Sequence, residues 1–260
     1  MNVMNLQVLS HKLFIALLFL LFFSTKLVTQ ENKRKLVEIK KELDSAYYTF
    51  DVNFLKRIIR DSEQLRTKSN WYPDYYIAIA YFQLGKIVYN YNSDLSYYYF
   101  DKSLDYLLEV KKRFYDEEIA ALISAVYGKK SSLSPLKAIY FGIKAKDYIY
   151  EAASIDSNNS KVLLIGAIHL MHTPEAFGGD KKWAESLLKR ALKNLYKFCE
   201  EDTLRIEWGK DAEIYAYLSQ LEILRKRKYL AKLFMEKALA LKPSYGFVLK
   251  DLILQYNKID

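Results

Sequence analysis

Three side chains able to bind a metal ion lie close together in the middle of the chain, in the run HLMHTPEAFGGDKKW. His169 and His172 are three residues apart, so one helix would present both imidazoles on neighbouring positions, and Glu175 follows in the next turn. No HExxH pattern or second acidic motif accompanies them. We therefore predict no metal site, and instead a packed, hydrogen-bonded pair of histidines.

The same run contains two adjacent glycines, a feature of phosphate-binding loops. Neither the Walker spacing nor the dinucleotide spacing surrounds Gly178 and Gly179. Glycine permits a tight backbone turn at this point, and Asp180 is predicted to cap the helix that contains Trp183. Phe177 is predicted to cover the end of the hairpin. The rest of the sequence shows no Ser-His-Asp arrangement or paired-carboxylate signature, so we predict a protein without catalytic activity.

Five side chains are predicted to contact a ligand because they combine aromatic surface with a few polar groups. They are His172, Glu175, Phe177, Tyr81 and Tyr140. For the tyrosine-rich helices, including the run from Tyr97 to Tyr99, the competing interpretation is an amphipathic layer that covers the core. No cofactor is predicted.

Cys199 is the only cysteine in the 260 residues. A single cysteine excludes a disulfide framework and a cysteine-based zinc site. No histidine lies near it in sequence, so we predict a small helix-packing residue and not a nucleophile. Apolar packing alone must therefore hold the fold together.

The composition favours helices and a substantial core. Glycine and proline are scarce, at 8 and 4 residues, while 51% of the residues are apolar, which argues against a barrel or sandwich with many tight turns. The net charge is +9, but basic residues are spread along the chain among acidic ones. Dispersed charge is typical of a solvated surface, so we predict no nucleic-acid partner.

The N-terminus predicts export to the periplasm. The uninterrupted apolar run at 13–23 is shorter than the ~20 residues of a membrane span and suits the core of a signal peptide. We predict a signal peptide at 1–29, cleaved after Thr29, and one domain at 30–260. No A-x-A cleavage pattern is present, so an uncleaved inner-membrane anchor formed by the same run stays open as the alternative.

Beyond residue 30, apolar residues recur at intervals of three and four, which predicts a series of amphipathic helices. Pro73 is predicted to open a helix, Asp94 to cap one, and Gly85 and Gly128 to end one each. Residues 128–142 are predicted to form a polar loop followed by a proline-started helical turn. This connection is longer than a simple hairpin needs, which makes it a candidate for binding residues.

Four of the predicted second helices share one pattern: a small residue, a large apolar residue four later, and a small residue three after that. The sets are Ser96-Phe100-Ser103, Ala145-Ile149-Ala152, Ala184-Leu188-Ala191 and Ala231-Met235-Ala238. This spacing keeps all three residues on one helix face, where small side chains let a partner helix approach closely. We predict about five hairpins and a C-terminal capping helix at 245–256.

The first helices add a complementary half, a Leu-Gly-x-x-Tyr position filled by Ile77-Ala78 with Tyr81, Ile165-Gly166 with His169, and Leu218-Ser219. With these two halves and a closing proline at Pro243, the chain resembles the tetratricopeptide repeat (TPR) family. The resemblance implies an all-α, TPR-like α-solenoid of antiparallel hairpins. The repeat spacing exceeds the family's period, and Val162 or Tyr215 fills its tryptophan position, so regular superhelical stacking is not implied.

The run TPEAFGGDKKWAESLLKRAL is similar to exported repeat proteins of Bacteroidetes-type bacteria and, more distantly, to the T components of TRAP transporters. These resemblances imply an exported helical scaffold. We predict a non-enzymatic protein that binds a protein or peptide on its concave face and contacts the membrane only through its N-terminus. The alternative is a periplasmic small-ligand-binding protein associated with a transporter, in which tyrosines and residues 128–142 line a pocket.

Overall fold

The computed structural model describes residues 30–195 and 202–259, so the predicted signal peptide and Cys199 lie outside the described residues. Within these ranges the chain forms helices and turns and no strand, which confirms the all-α prediction. The helices are α1 (30–49), α2 (Val52–Glu63), α3 (Tyr72–Val88), α4 (Ser93–Lys111), α5 (Glu117–Leu133), α6 (Ala138–Ile155), α7 (Ser160–His172), α8 (Lys181–Asn194), α9 (Asp211–Leu224), α10 (Lys228–Leu241) and α11 (Ile253–Tyr256), with 3-10 turns at Pro135–Lys137 and Glu175–Phe177 and a π-helical turn at Phe247–Leu252.

Consecutive helices pack as hairpins, most extensively α3 with α4, α5 with α6, α7 with α8, and α9 with α10. We call α3, α5, α7 and α9 the first helices and their partners the second helices. The pair α1 and α2 precedes them, and the helical segment 247–256 follows. Among the helices that the structure describes, none is both long and apolar enough to cross a membrane.

The small-large-small sets are buried in all four second helices, as their spacing predicted. In α4, the Ser96 and Ser103 hydroxyls donate to the carbonyl oxygens of Gly85 and Ala78 on α3, at 2.9 and 2.8 Å. Such bonds require two helix backbones to approach closely, which only small side chains at the contact allow.

Two predicted helix ends are wrong. Gly85 lies inside α3 and does not end it. A Cβ at this position would come within 2.6 Å of the Phe100 ring, so the glycine makes room for the neighbouring helix α4. Gly128 lies inside α5, which continues to Leu133. Residues 128–142 are thus helical except for a short connection, so the predicted long polar loop is absent from this part of the described chain.

One predicted cap is also wrong, while the predicted helix start at Pro73 is confirmed in the first turn of α3. Asn92, and not Asp94, caps α4, since its side-chain oxygen accepts from the Leu95 amide at 3.0 Å. Asp94 lies in the first turn of that helix, where its negative charge interacts favourably with the positive end of the helix dipole.

The first helices run parallel, so the molecule has two distinct edges. Their N-terminal ends meet around Glu118 of α5, which contacts Tyr75 of α3 and Lys161 of α7. Near the opposite ends, His172 of α7 lies 3.2 Å from the side-chain oxygen of Gln220 of α9. The hairpin turns after α3, α5, α7 and α9 therefore all lie on one side, which we call the turn edge.

The inner face of the first helices is covered by the chain itself. Residues 202–210, the described part of the connection between α8 and α9, cross it near Glu118, and Ile206 and Trp208 are fully buried there. The C-terminal segment 245–256 covers the half nearer the turn edge, and its contacts reach α1, α9 and Asn90 in the turn after α3. It thus covers more than the last hairpin, which is all that the sequence predicted for it.

Candidate functional site

The five residues predicted to contact a ligand do not form one site. Tyr81 is half-buried in the α3–α4 hairpin, where it stacks on Tyr106 with 6.0 Å between ring centroids. Tyr140 is exposed near the start of α6 and contacts Phe141. The other three, His172, Glu175 and Phe177, lie at the end of α7 and in the turn that follows.

Phe177 does not cover the hairpin end as predicted, since 70% of its surface is exposed. The backbone closes this turn instead: the Asp180 amide donates to the Leu170 carbonyl, and the Gly179 amide donates to the Pro174 carbonyl. A Cβ on Gly179 would come within 1.8 Å of the Thr173 carbonyl oxygen, so only glycine fits. The turn therefore needs no apolar plug.

Asp180 caps α8 as predicted, because its side-chain oxygen accepts from the amides of Lys182 and Trp183 at 2.8 and 2.9 Å. Gly178 adopts a left-handed conformation with φ of 94°, which glycine permits. The Gly-Gly-Asp run is thus explained by the turn and the cap, without a bound phosphate.

The two histidines of α7 interact with different helices. Burial lowers the pKa of His172, the charge of Lys129 lowers it further, and the hydrogen bond to Gln220 opposes these effects. Burial also lowers the pKa of His169, assisted by Lys146 of α6. No group of three His, Cys, Asp or Glu side chains in the described part of the chain is arranged to hold a metal ion.

Helices α6 and α8 both pack on α7, and we call the outer surface between them the α6/α8 groove. Gly166 of α7 lies between the two helices: a Cβ at this position would be 3.3 Å from the Leu187 side chain of α8 and 3.8 Å from the Ile149 side chain of α6. One helical turn nearer the turn edge, helical register places His169, Trp183 and Lys146 at the corresponding positions of the three helices.

The α6 wall of this groove is apolar and exposed. Ile143 and Tyr150 are 54% and 58% exposed and lie on the side of α6 opposite to Phe141, which packs toward α4 beside Tyr97. On the α8 wall, Trp183 is 51% exposed. We define the α6/α8 groove by six residues: Ile143, Lys146, Tyr150, His169, Trp183 and Arg190.

Two cations flank the groove. Lys146 is close enough to His169 to lower the pKa of the imidazole. Arg190 on the α8 wall reaches back to the α6–α7 connection, where its guanidinium donates to the Asn158 side-chain oxygen at 3.3 Å. The groove thus combines apolar and aromatic walls with an imidazole that is neutral at pH 7 and two positive charges.

Two surface clefts are open to solvent and lined mostly by charged residues, and the second shares Arg190 with the α6/α8 groove. One of about 350 Å³ is lined by Tyr48, Leu195, Glu207, Lys210, Asp211 and Lys242. Another of about 470 Å³ follows α8 and is lined by Lys182, Glu185, Ser186, Lys189, Arg190 and Lys193. Neither is the tyrosine-lined pocket that the alternative prediction placed beside residues 128–142.

The sequence of α6 does contain a pattern that indicates this surface, but the repeat of buried residues on the same helix is more noticeable. Ile139, Ile143, Lys146 and Tyr150 recur at intervals of four, three and four along α6, beside the buried set that includes Ala145 and Ile149. A second, exposed apolar stripe on a helix that already has a buried one indicates a binding surface. The repeat pattern drew attention only to the buried stripe.

No protein-family model matches the sequence, and no curated protein matches it. Among solved structures, the fold is similar to that of the HusA haemophore from Porphyromonas gingivalis, with a TM-score of 0.54 and 16% sequence identity. The match covers 80% of this chain and 93% of the haemophore. At this identity the similarity concerns the fold.

Proposed function

We propose that the chain is an exported, non-enzymatic binding protein that takes up a flat, apolar, anionic ligand of the haem class in the α6/α8 groove. The observation that carries the proposal is the combination of His169 with the exposed walls formed by Ile143, Tyr150 and Trp183. The similarity in fold to a haemophore supports it. The affiliation with exported TPR-like proteins belongs to the same proposal and rests on the four buried small-large-small sets.

The groove residues match the chemistry of such a ligand. Haem iron is commonly held by a histidine, and only the neutral imidazole can donate its electron pair to the metal. Aromatic and aliphatic side chains pack against the faces of a planar ring system. Lys146 and Arg190 would offer their positive charges to the ligand's carboxylates.

This assignment replaces the concave face as the proposed binding surface. The inner face of the first helices is covered by residues 202–210 and 245–256, so an incoming peptide would have to displace buried side chains such as Trp208 and Tyr245. The outer face between α6 and α8 is accessible without rearrangement.

We expect haemin to bind the full-length chain with a shift in its Soret absorption band, and His169→Ala to weaken binding at least about tenfold, which corresponds to ~1.4 kcal/mol of lost coordination. The matched control is His172→Ala, on the same helix but bonded to Gln220, which is expected to bind haemin like the parent. Titration followed by absorbance measures both. Equal binding by the two variants would refute His169 as the ligand, and loss in His172→Ala alone would move the site to the inner face.

Haemin binding is also expected to depend on pH in one direction. Because burial and Lys146 hold the pKa of His169 below 6.5, the imidazole is neutral at pH 7 to 8, where affinity should be constant. Affinity should fall as the pH drops through the lowered pKa, since a protonated imidazole cannot bind iron. In His169→Ala this decrease should disappear. A decrease of equal size in that variant would attribute the pH dependence to other groups.

A further inference from the structure

The most exposed large apolar side chains lie on one edge of the molecule. Five described residues expose 70% or more of their surface: Tyr91 at 72%, Leu136 at 100%, Ile139 at 74%, Phe177 at 70% and Tyr229 at 80%. Each lies in a hairpin turn, or in the first turn of the helix after it, and the turns after all four first helices are represented. Because the first helices are parallel, these side chains share the turn edge.

Basic residues gather on the same edge. Three segments that include the turns after α5, α7 and α9 and the adjoining helix ends, 129–137, 173–183 and 224–229, contain nine lysines and arginines and two acidic residues. Some of these cations are already paired: Lys130 with Asp101, and Arg225 with Glu185. The exposed ones include Lys137, Lys182 and Lys226, one in each segment. Charge that is dispersed along the sequence is therefore concentrated by the fold.

This combination of features matches the surface of an anionic lipid bilayer. Aromatic and aliphatic side chains are stable at the depth of the lipid headgroups, and nearby lysines and arginines attract anionic lipids. The apolar residues project singly from successive turns along an edge, an arrangement that suits a flat surface. They do not line a concave site that would enclose a peptide or a small ligand.

We propose that the turn edge docks on an anionic membrane surface, with Leu136, Ile139, Phe177 and Tyr229 entering the headgroup layer and the exposed lysines contacting lipid phosphates. The membrane contact is additional to any made by the N-terminal apolar run. It does not depend on the proposed function, because Leu136 and Tyr229 lie outside the α6/α8 groove.

The first test measures which part of the chain meets the lipid. In a full-length Cys199→Ser background, Leu136→Cys, Tyr229→Cys and Ser157→Cys each carry an environment-sensitive fluorophore; Ser157 is exposed on the opposite edge. With vesicles containing phosphatidylglycerol, emission is expected to rise severalfold at Leu136 and Tyr229 and to stay unchanged at Ser157. Because the readout is local, binding through the N-terminal run does not imitate it.

Several outcomes would overturn the proposal. They are no rise at the turn edge, an equal rise at Ser157, and an equal response to neutral phosphatidylcholine vesicles. A rise that grows with protein concentration in the absence of vesicles would assign the edge to contact between two copies of the chain instead.

The second test separates the location of the charge from its amount. Lys137→Glu, Lys182→Glu and Lys226→Glu combined should weaken vesicle binding of the labelled chain at least about tenfold, since each lysine near an anionic surface contributes to attraction. A matched control makes the same change in net charge at three exposed lysines elsewhere, Lys41, Lys56 and Lys68. Equal weakening by both triple variants would show that net charge alone acts, and would contradict docking by the turn edge.

Discussion

Replacing Glu118 by alanine is expected to lower the free energy of unfolding by about 3–5 kcal/mol, the typical cost of removing one partner from a buried ion pair. The Glu118 carboxylate is 5% exposed and lies 2.7 Å from the Lys161 ammonium and 3.3 Å from the Arg205 guanidinium. It also accepts hydrogen bonds from Tyr75 and from the indole of Trp208. The substitution would leave two buried cations with less compensating charge.

Burial alone would raise the pKa of Glu118, but the charges of Lys161 and Arg205 outweigh it and the pKa is lowered. A lowered pKa means that the carboxylate stabilises the fold at neutral pH and that this contribution is lost as the pH falls through the lowered value. Urea denaturation at pH 7 measures the change.

The control for this prediction is Glu109→Ala, which removes an exposed glutamate that pairs only with its surface neighbour Lys112. That change should stay within about 0.5 kcal/mol. If Glu118→Ala cost less than about 1 kcal/mol, the cluster would not link the first helices in the way its contacts indicate.

Replacing Trp208 by alanine is expected to cost a similar ~3–5 kcal/mol, since the cavity left by a large ring adds to the loss of buried apolar surface. Trp208 is 1% exposed, and its indole nitrogen donates to Glu118 at 2.8 Å. The next residue, Gly209, adopts a φ of 69° close to the Lys161 side chain. This geometry lets residues 202–210 insert the ring between the first helices.

Two further variants show what the ring and its N–H group each contribute. Trp208→Phe keeps most of the apolar surface but leaves a Glu118 oxygen with one donor fewer, so it should cost less than the alanine variant. Trp183→Ala removes an exposed tryptophan and should leave stability within about 0.5 kcal/mol. Unfolding followed by circular dichroism compares all three. A Trp208→Ala variant as stable as Trp183→Ala would mean that residues 202–210 do not hold the inner face closed.

Structural features that depend on a regular spacing of residues, or on neighbours in sequence, were predictable. The spacing of Ala184, Leu188 and Ala191 is a property of one helix face, so it identifies the buried stripe without knowledge of the partner. The capping role of Asp180 is equally local, since the residue and the amides it accepts from are neighbours in sequence.

Features that depend on distant parts of the chain were not predictable. A glycine near the end of a helical pattern predicts a helix end, whereas Gly85 lies within α3 and leaves space for the Phe100 ring of the next helix. Residues 202–210 have no period, and nothing local indicates that Arg205 pairs with Glu118 far upstream. The proposed groove was missed because its exposed stripe becomes meaningful only when α8 lies opposite α6.

The contact between the beginning and the end of the hairpin array has a consequence for how the protein unfolds. The Tyr47 hydroxyl of α1 donates to Glu213 of α9 at 2.8 Å, and the rings of Tyr48 and Tyr245 lie 5.0 Å apart. An open repeat array frays from its ends, and units can be added or removed with a nearly constant change in stability. Here a lost or inserted hairpin would separate these partners, so the contacts between α1, α9 and the C-terminal segment fix the number of hairpins. For the same reason, we expect the domain to unfold in one cooperative step.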